Sequence, residues 1–193
     1  MARNRLGYLV GLTGFAGSGK DAAAAGLVAA GWTRQAFADP VRSMALAIDP
    51  WIFMGAGNLR LSFLVGNFGW DEMKRHTEVR RLLQAIGTDG VRVHLGADAW
   101  VQAFELARDR RSNTVAPDVR FPNEAEHIRR HGGIVIRIDR PGVGPVNGHV
   151  SEAVDSLQVD ATVVNDGTID QLQDRVAELV ELHYSTPVAG LPF

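Results

Sequence analysis

The sequence predicts a three-layer α/β fold with a mainly parallel central sheet. Short apolar runs that suit buried strands alternate with helical patterns along the whole chain. A glycine-rich loop separates the first such run from the first helical pattern. The strongest run, Ile134-Val135-Ile136-Arg137-Ile138, is followed by one more strand and a closing helix.

Taken in order, Tyr8-Leu9-Val10-Gly11-Leu12 reads as a buried strand and residues 21–30 as a helix with an alanine run of high propensity. Residues 33–37 make a second strand, and Pro40 opens a short helix through Ile48. Residues 49–69 hold Pro50, Gly55, Gly57, Gly66 and Gly69 among aromatics and read as irregular or mobile. A helical pattern returns over 71–86, and another covers 97–110. Thr114-Val115-Ala116 is a short strand aimed at Asp118, and residues 122–131 form a helix stopped by Gly132-Gly133. Residues 161–164 are a strand. The last helix opens on a capping box, Thr168 with Gln171, and Ile169, Leu172, Val176 and Leu179 form its expected buried stripe.

The 193 residues, 46% hydrophobic and 22% charged, suit one soluble domain with a substantial core and exclude wholesale disorder. A single domain over 1–193 is expected, with an irregular segment at 49–70, a lid-like loop at 140–150 and a tail at 185–193. Twenty basic against 22 acidic residues give no footprint for stable nucleic-acid binding. The absence of cysteine excludes disulfides, thiolate zinc sites and Cys nucleophiles, and fits a cytoplasmic setting. No apolar run reaches the ~18 residues of a membrane span. Arg3, Arg5 and the apolar stretch after them imitate a signal peptide poorly, because Gly7, Gly11, Thr13 and Gly14 interrupt it.

Gly14-Phe15-Ala16-Gly17-Ser18-Gly19-Lys20 fits G-x-x-x-x-G-K between a strand and a helix. Glycines let successive backbone N–H groups turn inward around phosphate oxygens, and the helix N-terminus adds partial positive charge. Lys20 can reach β- and γ-phosphates as a compact charge. It is one of two lysines, with Lys74, so eighteen of the 20 basic residues are arginine. Asp21 stands where most such loops have a Ser or Thr hydroxyl for Mg²⁺, and its carboxylate can hold the ion directly or through water.

No Asn-Lys-x-Asp base-reading motif contains either lysine, which argues against a GTPase switch, and a motor would need more chain and a basic channel. A small-molecule kinase needs a second, arginine-rich acceptor site. Two segments qualify. In Asp118-Val119-Arg120-Phe121-Pro122-Asn123-Glu124, Asp118 can orient Mg²⁺ and Arg120 can clamp a phosphate; a surface ion pair with a helix cap is the alternative. In residues 80–88, Val79, Leu82, Leu83 and Ile86 share a core-facing arc, and Arg80, Arg81, Gln84 and Thr88 fall on the neighbouring one. Two guanidiniums beside an amide can bind a nucleotide phosphate and read a base edge; a solvated polar face is the alternative.

With these residues quoted, the chain resembles the deoxynucleoside monophosphate kinases of tailed bacteriophages, within the nucleoside-monophosphate-kinase group of P-loop proteins. The matching pieces are residues 14–21, Phe37-Ala38-Asp39-Pro40, residues 80–88, Trp100-Val101, residues 118–124, His149-Val150-Ser151-Glu152 and Val164-Asn165-Asp166-Gly167. An Asp after the lysine belongs to that pattern, whereas Ala22 replaces its frequent Thr. The resemblance implies a P-loop kinase fold with mobile acceptor-binding and lid segments. It implies ATP bound by Gly14, Phe15, Ala16, Gly17, Ser18, Gly19, Lys20, Asp21 and Arg140, and Mg²⁺ by Asp21 and Asp118. The acceptor would be bound by Asp39, Arg42, Arg80, Arg81, Gln84, Gly87, Thr88, Trp100 and Arg120, with Lys20, Asp118 and Arg120 catalytic. Arg137 or Arg140 can swing onto the transferring phosphoryl group, and a loop with solvated arginines is the alternative. The expected reaction moves the γ-phosphoryl of ATP to a deoxynucleoside 5′-monophosphate. Small nucleotides are the expected partners, without membrane binding, and a homodimer is compatible. Another P-loop small-molecule kinase, such as a dephospho-coenzyme A kinase, or a non-catalytic nucleotide-binding protein are the alternatives.

Overall fold

Leu9–Thr13 (β1) is buried along its entire length, as a strand without polar alternation must be when both faces of its sheet are covered. The computed structural model describes residues 6–144 and 157–185. Among them, β1 is the middle strand of a five-stranded sheet with β2 (Thr33–Arg34), β5 (Thr114–Ala116), β6 (Ile134–Asp139) and β7 (Ala161–Val164). The order is β2-β5-β1-β6-β7, and every neighbouring pair is parallel.

Alternation along β1 builds the layers. Val10 and Leu12 point to one face and pack with Ala23, Ala24 and Leu27 of α1 (Lys20–Ala29) and with Leu172, Val176 and Val180 of α8 (Ile169–Ser185). Gly11 points to the other face, where a Cβ would meet Ile128 Cδ1 at 2.4 Å and Val119 Cγ2 at 2.7 Å. A glycine there lets α7 (Pro122–Arg130) press onto the sheet. Three layers result, as expected from the alternating pattern. The capping box of α8 forms in both directions, Thr168 N to Gln171 Oε1 at 3.0 Å and Gln171 N to Thr168 Oγ1 at 3.3 Å. Its stripe needs one correction. Ile169 is 61% exposed, and Val180 lies buried on the stripe instead. Ile169 sits in the first turn, beyond the part of the helix that crosses α1.

The chain divides into two compact units: this sheet with its helices, formed by residues before Phe37 and after Leu106, and residues Phe37–Leu106. The second unit begins with α2 (Asp39–Ile48), opened by Pro40 as expected. The expectation of an irregular stretch over 49–69 fails. Trp51–Phe53 (β3) and Asn58–Arg60 (β4) form an antiparallel hairpin, closed by Met54 N to Gly57 O at 2.8 Å across Gly55-Ala56. Then α3 (Leu61–Met73) follows, broken at Gly69, whose φ of 74° and ψ of 164° no helix accommodates. Asp49, itself at φ 47°, accepts Ser62 N at 2.7 Å and Ser62 Oγ at 3.0 Å, and these bonds hold its carboxyl below its usual range. Order here comes from distance in sequence: Ile52, Leu61, Leu64, Met73 and Val79 share one buried cluster with Ala45.

The helix expected over 71–86 is also divided. The main break falls between Met73 and α4 (Thr77–Gln84), and a π-helical turn (Ala85–Gly90) precedes α5 (Val91–Leu95) and α6 (Ala99–Ala107). Val79 is buried, and Leu82, Leu83 and Ile86 pack against the same cluster, so the core-facing arc of α4 is as expected. Thr88 lies in the π turn, half-buried, where residues are spread wider than 3.6 per turn.

Candidate functional site

The loop between β1 and α1 has its glycines where side chains are forbidden. Gly14, Gly17 and Gly19 have φ of 139°, 81° and 106°. A Cβ on Gly14 would lie 2.3 Å from Ile138 O, and one on Gly19 2.5 Å from Asn165 Nδ2. Gly19 caps α1, whose first residues are Lys20 and Asp21. The Lys20 ammonium donates to Gly14 O at 2.7 Å and Phe15 O at 2.6 Å, which folds it over the loop it follows. Phe15 is half-buried and Ala16 exposed at the loop's tip. Ser18 is 1% exposed, and its Oγ, like that of Thr13, is buried without a hydrogen-bond partner. Two orphaned hydroxyls flanking a cradle of backbone are unusual in a folded chain.

The sheet puts this loop at a crossing point. The connection from β1 leads to the β2 and β5 side and that from β6 leads to β7, so connections leave these two adjacent strands in opposite directions. Open α/β sheets bind ligands beyond the carboxyl end of such a strand. Val119 N donates to Leu12 O at 3.0 Å, which brings the 118–120 segment alongside the end of β1. Asp118 is half-buried and Arg120 exposed. The neighbouring Glu124, 2% exposed, accepts from Arg120 N at 2.8 Å and Phe121 N at 3.1 Å and so fixes the turn into α7. Arg140 NH1 lies 3.5 Å from Gly17 O, at the outer limit of a hydrogen bond, whereas Arg137 NH2 donates to Leu157 O at 3.0 Å. Arg140 thus reaches the loop backbone, and Arg137 pairs across the sheet with Thr13, the residue before Gly14. The expected lid beyond Gly144 and the 149–152 piece lie outside the described residues, as do Arg3, Arg5 and the tail after Ser185.

Oxygen donors suited to Mg²⁺ are present in this unit: the carboxylates of Asp21 and Asp118 and the unpartnered Ser18 hydroxyl. Hard oxygens of this kind, with room for waters, fit that ion.

Asn165, in the Asn-x-Gly that follows β7, also meets the loop. Its Nδ2 donates to Ser18 O at 2.8 Å, so the end of β7 buttresses the loop. Arg175 holds that corner in turn, through Val164 O at 2.6 Å and Asp166 Oδ1 at 2.8 Å. The Arg175 guanidinium keeps the Asp166 carboxyl below its ordinary value.

In the second unit, Arg80 and Gln84 are half-buried and Arg81 is exposed on α4, while Gly87 and Thr88 follow in the π turn. Trp100 is 5% exposed, and its Nε1 donates to Gly87 O at 2.7 Å. The indole therefore braces the turn that carries Gly87. Asp39 and Arg42 pair at 3.4 Å, and the Arg42 guanidinium lies 5.9 Å over the Trp70 ring. The structure thus groups the predicted residues into two sets, one in each unit.

An all-parallel sheet with a glycine loop, a lysine and a helix after its middle strand is the arrangement of P-loop nucleotide-binding proteins. The family model described as deoxynucleotide monophosphate kinase matches residues 67–176, and the chain belongs to that family. The match takes in Arg80–Thr88, Trp100, Asp118–Arg120 and Asn165 but starts beyond the phosphate loop, whose reading stands on its own geometry. A protein of Acanthamoeba polyphaga mimivirus, provisionally named for the same kinase, is 29% identical over 199 residues, covering 90% of this chain and 96% of that protein. The deoxynucleotide monophosphate kinase of Enterobacteria phage T4 is 30% identical over 54% of this chain and 46% of its own length. That of Escherichia phage RB69 is also 30% identical, over 53% and 44%. Among solved structures, the Mycobacterium tuberculosis APS kinase CysC aligns over 91% of this chain and 98% of its own, at TM-score 0.42 and 20% identity, a likeness too loose to carry an inference. No helix among the described residues is long and apolar enough to cross a membrane.

Proposed function

We propose that this kinase transfers the γ-phosphoryl group of ATP, with Mg²⁺, to a deoxynucleoside 5′-monophosphate, giving ADP and the deoxynucleoside diphosphate for DNA precursor supply. The carrying observation is the loop 14–21, with three glycines at positive φ and Lys20 folded over it. Its backbone N–H groups and the start of α1 are suited to a triphosphate, and the Lys20 charge to the β- and γ-phosphates. Bound Mg²⁺ would supply charge neutralisation between those phosphates. Asp21 and Asp118 would hold it, with Ser18 offering a further oxygen. Arg120 would meet the negative charge of the transferring group, and Arg140 would close over the loop.

The second unit would hold the acceptor. Arg80 and Arg81 suit its phosphate, Gln84 a base edge, and Asp39 with Arg42, Gly87 and Thr88 the remainder of the nucleotide. An acceptor phosphate oxygen forms the new P–O bond to the γ-phosphorus as the bond to the ADP oxygen breaks, with no covalent enzyme intermediate. Catalysis is then positioning and charge neutralisation.

A coupled assay of ADP release with a panel of monophosphates, coenzyme A precursors included, tests this reading. Turnover is expected with one or more deoxynucleoside monophosphates. Turnover only with a coenzyme A precursor, or none with any acceptor despite ATP binding, would overturn it.

A further inference from the structure

We propose that His127 and His131, on the last turn of α7, form a two-histidine site for a divalent transition metal such as Zn²⁺, separate from the phosphate loop. Neither residue has a part in the phosphotransfer reading. Spaced four apart, they rise from one face of the helix. Their rings are 4.4 Å apart between centroids and tilted by 49°, and their ligand nitrogens lie within 4.8 Å of one another. Two nitrogens on a tetrahedral ion, each about 2.05 Å from it, are separated by roughly 3.4 Å.

The helix end sets the tautomer. At the C-terminus of α7, the His131 backbone N–H turns to Ile128 O at 3.1 Å. The His127 carbonyl is instead met by the His131 ring, with Nδ1 2.8 Å away. A carbonyl can only accept, so Nδ1 carries the hydrogen, and in the neutral ring the lone pair is on Nε2. A metal-bound histidine commonly has this arrangement, one nitrogen on the ion and the other donating to a backbone carbonyl. His127 is 7% exposed, so one of the two ligands is already held in a fixed, mostly dry position.

The local field also suits a cation. The negative end of the α7 dipole points at this turn. The two arginines just before His131 are drawn aside: Arg129 to Asp160 at 2.9 Å and Gln158 O at 2.7 Å, and Arg130 to Glu126 at 3.4 Å. Imidazole nitrogens select Zn²⁺, Cu²⁺ or Ni²⁺ over Mg²⁺, so the ion that serves ATP would not compete. Water or another oxygen ligand would complete the coordination. Occupancy would clamp the last turn of α7, the helix that begins directly after Arg120.

The competing explanation is that His131 is only a helix cap. Untagged protein titrated with Zn²⁺ alone, followed by calorimetry and by melting temperature, separates the two. The expected result is one equivalent bound and a raised melting temperature, both persisting in millimolar Mg²⁺. His131→Gln is expected to weaken Zn²⁺ at least tenfold while the metal-free protein stays folded. Because His127 is buried and His127→Gln can unfold the chain, His183→Gln serves as the control and should leave binding unchanged. No Zn²⁺ binding by the wild type, or equal binding by the wild type and His131→Gln, would overturn the proposal.

Discussion

The two units of this protein are built by different means. The sheet unit has two strands, β1 and β5, buried from end to end and three glycines at positive φ in seven residues, so its candidate ligand groups are backbone. The unit Phe37–Leu106 has a two-strand hairpin, a helix broken at Gly69, a π turn, and side chains rather than backbone as its candidate ligand groups. A site made from main-chain N–H groups tolerates few changes of conformation. One made from arginines and an amide on α4 can be retuned by substitution alone. Donor recognition by the first and acceptor recognition by the second would follow that division.

The largest expected effect tests the backbone-built half. Lys20→Ala removes a charge from the β- and γ-phosphates, and kcat should fall roughly 10²-fold or more, upwards of ~2.7 kcal/mol in the barrier. Its melting temperature should barely change, since the ammonium's bonds to Gly14 O and Phe15 O stay within its own loop. Near-normal turnover by the folded variant would break the phosphate-loop assignment.

The side-chain half is tested through its brace. Trp100→Ala leaves a cavity and frees Gly87 O, at an expected cost of about 3–5 kcal/mol in stability. Trp100→Phe keeps most of the bulk but loses the indole N–H, so about 1 kcal/mol is expected, with the KM for the monophosphate rising more than that for ATP. The ratio of kcat/KM for dGMP and GMP then sharpens the role. A Trp100 that only braces Gly87 leaves the ratio unchanged, whereas one that also packs on the sugar narrows it.

Asn165→Ala removes the bond to Ser18 O. A loss near 1 kcal/mol predicts a KM for ATP several-fold higher, with the monophosphate KM little altered. Steady-state kinetics with each substrate varied measures both. A smaller effect concerns the opposite end of β1. The Tyr184 hydroxyl donates to Leu9 O at 2.8 Å, and burial pushes its pKa from 10.0 up to about 12. Because the folded value is the higher, the associated stability is whole below pH 10 and is lost as pH rises towards 12. Melting curves of the wild type and Tyr184→Phe should therefore converge or cross over that window and run parallel below it.

The same contrast explains what could be read from the sequence. Short apolar runs announce parallel strands: Thr114–Ala116 forms as expected and is buried throughout, and Ala161–Val164 forms as expected at the sheet edge, with Val163 buried. The phosphate loop is local, so its glycines and lysine are legible without any tertiary contact. The hairpin and α3 were hidden because Pro50 and four glycines look like loop chemistry. Their order depends on Ile52 meeting Leu61, Leu64 and Val79. Nothing in the sequence marks the π turn that carries Gly87 and Thr88. Asn165 was quoted as part of a motif, yet its bond to Ser18 O spans 147 residues and no spacing predicts it.

The division of labour itself is tested most directly by calorimetric titration of Arg81→Ala and Arg120→Ala, with dGMP and with a non-hydrolysable ATP analogue. Arg81→Ala should weaken dGMP at least tenfold and leave the ATP analogue within about twofold, a loss of ~1.4 kcal/mol confined to one ligand. Arg120→Ala should affect binding less and slow the chemical step. If the loss from Arg81→Ala fell on the ATP analogue and spared dGMP, the assignment of donor and acceptor to the two units would be reversed.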